Sequence, residues 1–214
     1  LLELSGAVNH VEIHASQIDV RWHSGGGATV LAFWNGLADA VVNVTGITIA
    51  CTMSAVGPLY FFGFNAAVVG SSVAVRDVSA ILGQVHGLDA LRLRDVSDSR
   101  FMLHNWRMHQ GGTAVNIMAV LGRLINTTVD VTASDFSLFG NNCYFAQVED
   151  SASLLLNSTL SFSRTAIRVD CNTAVLAEIA SKAVAHRLSL RFDQCTLDAS
   201  SILNIACDAS FLDV

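Results

Sequence analysis

A chain of 214 residues, 52% of them hydrophobic and 14% charged, buries a sizeable core and is no disordered segment. Its formal charge is −6 and its 12 lysines and arginines are scattered, so it presents no basic patch to nucleic acid. A single proline suits long strands with few tight breaks better than a loop-rich enzyme.

The chain opens on "LLELSGAVNH", which already reads as strand. It has no basic region followed by an apolar run of the kind that marks a secretory leader. "VEIHASQI" from Val11 alternates apolar and polar residues, the period of a half-buried strand. "ATVLAF" from Ala28 follows the cluster Gly25–Gly27, and "VNVTGITI" from Val42 alternates again. No charge occurs between Asp39 and Arg76, and residues 46–69 are long and apolar enough to raise a membrane span as one reading. The preferred reading is buried strands, because the charge-free gap from Asp39 to Arg76 contains Asn43, Thr45, Thr48, Thr52, Ser54, Asn65 and the Gly57-Pro58 pair. Further strands are expected at "LYFFGF" from Leu59, "VAVRDVSAIL" from Val73, "LRLRDVS" from Leu91 and "AVNIMAVL" from Ala114. They continue with "VDVTASDFSL" from Val129, "YFAQV" from Tyr144, "LLLNSTLSF" from Leu154 and "AIRV" from Ala166. "TAVLAEIASKAVAHRL", residues 173–188, breaks the pattern. It is rich in Ala and Leu, sets Val175, Ile179 and Val184 near one face and places Glu178 four residues ahead of Lys182, which predicts a short inserted helix. "LSLRFDQCTL" from Leu188 returns to strand, and the end, "SILNIACDASFLDV", stays there.

Seven of these strands share one form: apolar, any residue, apolar, then a small polar pair. They begin at Val11, Val42, Val73, Leu91, Val129, Leu154 and Leu188. Their mean spacing of about 30 residues is that of a solenoid. The tetrad Arg-Asp-Val-Ser occurs twice, at Arg76–Ser79 and Arg94–Ser97. Variable loops between constant strands suit a coil whose strands stack on their own copies, whereas a β-sandwich has no reason to repeat side-chain identity between strands. The sequence therefore predicts an all-β right-handed parallel β-helix of about seven rungs, a single unit over residues 1–214. In it Val42, Val44, Val73, Val75, Leu91, Leu93, Val129 and Val131 point into one core, and the two tetrads stack. Neither end carries a polar cap, which points to a segment of a longer protein whose neighbouring rungs would cover it.

The stretches "VNVTGITIACTM", "VDVTASDFSLFG" and "LLLNSTLSFSRT", with sparse cysteines and almost no proline, resemble the large β-helical surface proteins of kinetoplastids, the dispersed gene family proteins in particular. The resemblance implies a pectin-lyase-like coil in a long ectodomain, a membrane anchor outside this segment and an adhesive role. It implies no catalytic residue.

Three sequons, at Asn43, Asn126 and Asn157, are acceptors for N-glycosylation if the chain is secreted. Alternation points Asn43 outward, between Val42 and Val44. Of five cysteines, Cys171 and Cys207 end the similar phrases "AIRVDC" and "ILNIAC". They form either a bridge between stacked rungs or a pair of buried thiols. The histidine pairs His10/His14 and His104/His109, the latter flanking Trp106 in what reads as a polar loop, fall short of the three or four ligands of a metal site. No cofactor is expected.

For an enzyme reading, glycoside hydrolysis needs two carboxylates held close together. The contrary candidates are Arg76, Asp77, Arg94 and Asp95, with Glu149 and Asp150 the only adjacent acidic pair. These charges can equally pair along a ladder. The sequence reading is a non-enzymatic extracellular or cell-surface structural or adhesive segment, its partners glycans or proteins of a host cell or matrix. The alternatives are a polysaccharide lyase or hydrolase and a membrane-embedded protein.

Overall fold

The computed structural model describes residues 2–4, 8–22, 28–51, 55–149, 154–179, 183–199, 203–207 and 210–212. These form a parallel β-solenoid of about six turns, the architecture of a right-handed parallel β-helix. Every strand pairing is parallel and joins one turn to the next. One ladder defines the coil: Glu12, Val41, Ser72, Arg100, Thr128, Thr159 and Ser189 lie in register, each 28 to 31 residues after the last. We number the turns 1 to 6 from Glu12. Among the described residues the long intervals close without helices, because each strand finds its hydrogen-bond partners in the turns above and below.

The alternation read from the sequence sets the core. Val42, Val44, Val73, Val75, Leu91, Leu93, Val129 and Val131 are all at most 2% exposed. Phenylalanines stack between turns within this column, Phe33 on Phe64 and Phe162 on Phe192, with ring centroids 5.1 Å apart in both pairs. Trp106 does not lie in a polar loop. It is fully buried in the strand Arg100–Val120, and its Nε1 donates to the carbonyl of Val75, so the one polar atom of the ring is satisfied.

Two corners of the coil are built from residues with positive φ. The first uses Asp39, Gly70, Asp98, Asn126, Asn157 and Arg187; the second uses Gln17, Gly46, Asp77, Asn105, Ala133, Arg164 and Gln194. Asn, Asp and Gly tolerate this left-handed conformation best, which explains their frequency there. Behind the first corner Ser71, Ser99, Thr127 and Ser158 turn inward, and each hydroxyl donates to the carbonyl two residues earlier. The Ser71, Ser99 and Ser158 hydroxyls also accept a backbone N–H from the preceding turn. This hydroxyl ladder satisfies buried backbone donors at a place where the strands part. The small polar pairs read in the sequence fall mainly at the second corner, at Thr45-Gly46, Arg76-Asp77 and Thr132-Ala133, with Asn157-Ser158 at the first.

Two further expectations need correction, and the preferred strand reading of residues 46–69 holds. Residues 173–188 hold no helix among the described residues: Ala166–Ile179 and Val184–His186 are strands. Cys143, Tyr144, Ala146 and Val148 of turn 5 offer a ready ladder to Ala174, Val175, Ala177 and Ile179, and this overrides the helix propensity of the alanines. Lys182, half of the expected ion pair, lies outside the described residues. The stretch 46–69 is two strands, Val41–Cys51 and Ala55–Val69, and no helix among the described residues is long and apolar enough to cross a membrane. Finally, the two Arg-Asp-Val-Ser tetrads do not stack. Both lie in turn 3, on different sides of the coil: Arg76 is in register with Thr45 and His104, Val96 with Val68 and Leu124. The true neighbour of Val73 in the ladder is Phe101.

Candidate functional site

Of the four contrary candidates, the two aspartates are engaged in the architecture. Asp77 occupies a corner with φ 56°. Its Oδ1 accepts from Asn105 Nδ2 at 2.6 Å and its Oδ2 from the Thr45 hydroxyl at 3.2 Å, so it ties turns 2, 3 and 4 together. The Asn105 bond is the main reason its carboxyl is held below the ordinary range. Asp95 accepts from both the backbone N and the Nε of Arg123 in the next turn, at 3.2 and 3.1 Å. Arg76 and Arg94 are exposed and stand on different sides of the coil.

The sequons divide in the same way. Asn43 points outward from a flat strand, half-buried between the buried Val42 and Val44. Asn126 and Asn157 are corner residues with φ 49° and 47°. They form a side-chain ladder in which Asn157 Nδ2 donates to Asn126 Oδ1 at 3.2 Å and Asn126 Nδ2 to Asp98 Oδ1 at 2.9 Å. Cys171 forms a disulfide with Cys143 of the preceding turn, not with Cys207. The backbone of Cys207 is in register with Ile179, eight positions along from Cys171. His14 stands outward beside Glu12 at 3.5 Å, while His10 occupies a corner beside Asp39. Among the described residues no three His, Cys, Asp or Glu side chains are placed to hold a metal ion. Asp150 lies outside the described residues.

A different polar cluster emerges on the third side of the coil. In each turn the ladder there skips one residue: Val30, Phe61, Ala90, Ile117 and Phe145 have no in-register partner. These skipped residues are buried, as are those that follow them, Leu31, Phe62, Leu91, Met118 and Ala146. Two successive inward residues bend the strand. The outward side chains on either side of the bend then converge. Arg92 reaches back across it to Asp89 at 3.3 Å and lies over the Tyr60 ring at 4.5 Å from the centroid.

Two ladders frame the bend. Tyr60, Asp89, Asn116, Tyr144 and Val175 run along one edge, and Gly63, Arg92, Ala119, Gln147 and Glu178 along the other. Asp89 is 7% exposed and Asn116 6%. Asn116 Nδ2 donates to Asp89 Oδ1 at 2.8 Å and to Glu149 Oε1 at 3.2 Å, so one NH₂ group bridges two carboxylates from turns 3 and 5. Gln147 Nε2 donates to Glu178 Oε2 at 2.6 Å. Two polar atoms here, Asn116 Oδ1 and Arg92 Nε, are buried without a partner.

Electrostatics sets this bend apart. Burial pushes the Asp89 carboxyl above its ordinary range despite the Asn116 bond and the Arg92 charge. Glu149 is exposed at the rim with its Oε1 turned inward to Asn116. Its carboxyl is also pushed up, by burial first and then by the charges of Asp89 and Glu178. Burial and the nearby Glu178 raise the Tyr144 hydroxyl. Of this group the sequence reading singled out only Glu149. The group's hydrogen-bonded partners from different turns are 27 to 33 residues apart along the chain, so no short motif marks them. The available signal was the register: aligned on the 28- to 31-residue coil, a polar residue recurs just before the paired apolar residues of the bend.

No protein-family model matches the chain, and no curated protein matches it. Among solved structures, the A-module of the mannuronan C-5 epimerase AlgE4 from Azotobacter vinelandii is similar at 9% identity, over 95% of this chain and 91% of that one. The TM-score is 0.17, too low to carry an argument about fold or activity.

Proposed function

We propose that the chain is a non-enzymatic adhesive element of an extracellular or cell-surface protein, and that its bend holds a carbohydrate chain lengthwise. The observation that carries this reading is the convergence at the bend of amide, carboxylate and tyrosine groups from turns 2 to 6. Sugars offer hydroxyls that donate and accept, and amides and carboxylates on a fixed lattice match them. Successive turns lie ~4.8 Å apart, so an extended chain of sugars laid along the coil axis meets a new set of groups at each step.

An oxidising compartment is supported by the buried Cys143–Cys171 bridge, since disulfides persist mainly outside the cytosol. The resemblance to kinetoplastid surface proteins and the outward Asn43 sequon agree with that placement.

Binding without turnover is preferred because Asp89 is already committed. Both its oxygens are hydrogen-bonded, to Asn116 and Arg92, and it is nearly inaccessible. The second reading, polysaccharide cleavage, is favoured by one specific observation: Asp89 and Glu149 share a single amide donor and both are pushed up. Incubating the chain with neutral, amino and acidic polysaccharides, and following both retention and chain length, decides between them. Retention with unchanged length is the expected result. Shortening that vanishes in Glu149→Gln protein establishes turnover instead, and absence of retention by every glycan refutes the carbohydrate reading.

A further inference from the structure

Two places along the bend share one geometry and differ in charge. Tyr60 of turn 2 is covered by Arg92, which stands three positions beyond its ladder mate Asp89 in the next turn. The ladder brings Tyr144 of turn 5 to the position of Tyr60, and Glu178 of turn 6 to the position of Arg92. At the first place the chain supplies a tyrosine face, the Asp89 carboxylate and a guanidinium that satisfies both. At the second it supplies a tyrosine and two neighbouring carboxylates, Glu149 and Glu178, while the neutral Gln147 stands in the ladder of Arg92.

We propose that Tyr144, Glu149 and Glu178 form a binding place for a primary ammonium group, that of an amino sugar in a glycan lying along the bend. The proposal rests on the carbohydrate reading above and narrows it to a substrate class. The groups at this place ask for donors. Asn116, 6% exposed, spends its NH₂ on Asp89 and Glu149 and leaves its Oδ1 buried with no partner. Glu149 spends one oxygen on Asn116 and Glu178 one on Gln147, and each adds its other oxygen as an acceptor. An ammonium brings three donors and no acceptor, and a tyrosine face beside carboxylates attracts a cation as Tyr60 attracts Arg92. Arg92 bonds Asp89 and covers Tyr60, and its charge also reaches Glu149, where burial and the neighbouring acids outweigh it. The mutual repulsion that helps hold the Glu149 carboxyl up is what an incoming cation relieves. A uronate or sulfated sugar brings a like charge to the same place and is disfavoured.

The test is calorimetric titration of the chain with glucosamine oligosaccharides, their N-acetylated counterparts of equal length, neutral glucose oligosaccharides and a lysine-bearing peptide, at a pH where the amine is charged. The glucosamine oligomer is expected to bind about tenfold tighter than its N-acetylated counterpart, the scale of one charge-assisted hydrogen bond. Glu178→Gln and Glu149→Gln each remove that preference, and Tyr144→Leu weakens it while Tyr144→Phe, which keeps the ring, retains it. Melting temperatures within a few degrees of wild type show that the variants are folded. Should Glu178→Gln fail that check, Glu149→Gln at the exposed rim supplies the comparison. Equal affinity for amino and N-acetylated oligomers overturns the ammonium site and leaves the carbohydrate reading standing. Failure of every glycan overturns both, and a preference for the lysine peptide over the amino sugar overturns the sugar assignment.

Discussion

The solenoid carries two stacks of polar side chains that look alike in composition and differ in use. The corner stack sets Asp77 against Asn105, and Asp98 against Asn126 and Asn157. The bend stack sets Asp89 against Asn116 and Glu149. At the corners each amide meets the side chain in the adjacent turn in a regular ladder, and the Asp77 carboxyl is pulled down. At the bend one amide is shared by two acids and another acid stands close by, and the Asp89 and Glu149 carboxyls are pushed up. The corner stack faces water and holds the coil together; the bend stack is partly withdrawn from water and is left with unspent acceptors. Solvent exposure is therefore a poor guide to function here: the exposed asparagines are structural, and the groups fit to meet a ligand are half-hidden.

The largest expected effect tests whether the floor of the bend is part of the fold. Asp89→Ala strands the Arg92 guanidinium, whose side chain is 23% exposed, without its carboxylate. Breaking a mostly buried pair from one side costs about 3 kcal/mol, to be read as a drop in midpoint in urea unfolding. A loss below about 0.5 kcal/mol, the scale of an exposed pair, would show that Asp89 is as expendable as a surface charge and erase the distinction between floor and rim.

Smaller, and on the other stack, is Asn126→Ala. It removes a ladder bond on each side and places Ala at φ 49°, for an expected loss of about 1 to 2 kcal/mol. Asn126→Gly keeps the backbone comfortable and loses only the bonds, so it sits between Ala and wild type. If Gly and Ala are equally destabilising, the left-handed corner is not what the asparagine is there for. Neither change should alter glycan retention; if either does, the two stacks are not functionally separate.

The corners, though not the side-chain partners stacked on them, were legible in the sequence, because a corner is written locally. Alternation such as Val42/Val44 and Val129/Val131 followed by a small polar pair gives both the inward face and the corner. Leu91 shows where local reading stops. Its alternation is real and it is fully buried, but it belongs to the bend side of turn 3, and only the long-range register reveals that Phe101 occupies the rung above Val73. The same limit produced the expected helix at 173–188: 16 residues of Ala-rich sequence favour a helix when taken alone, and a waiting strand edge decides otherwise. The bend stack was least legible because Tyr60, Asp89, Asn116, Tyr144 and Glu178 come from five turns, and each alone is one polar residue in an apolar stretch.

The smallest expected effect on stability concerns pH, and it separates the stacks by sign. Asp77, with its carboxyl held down in the folded chain, contributes stability that is present above the ordinary carboxylate range and is lost as pH falls through its lowered value. Glu149, held up, contributes stability that is fully present below the ordinary range and is lost as pH rises through its raised value. Above that raised value the folded chain carries the Glu149 charge at some cost, reduced by the water at the rim. Glu149→Gln removes that charge with little change of shape, so the variant should melt slightly above wild type at neutral pH, and the gap should close on acidification. Asp77→Asn should show the reverse: a deficit at neutral pH that shrinks as acid removes the contribution from the wild type. Melting curves collected from neutral pH down through the carboxylate range, with all three proteins in one buffer series, read both signs. Two variants whose gaps close from the same side would mean that Glu149 is not held against its neighbours, and with that the case for a cation at Tyr144 and Glu178 loses its electrostatic support.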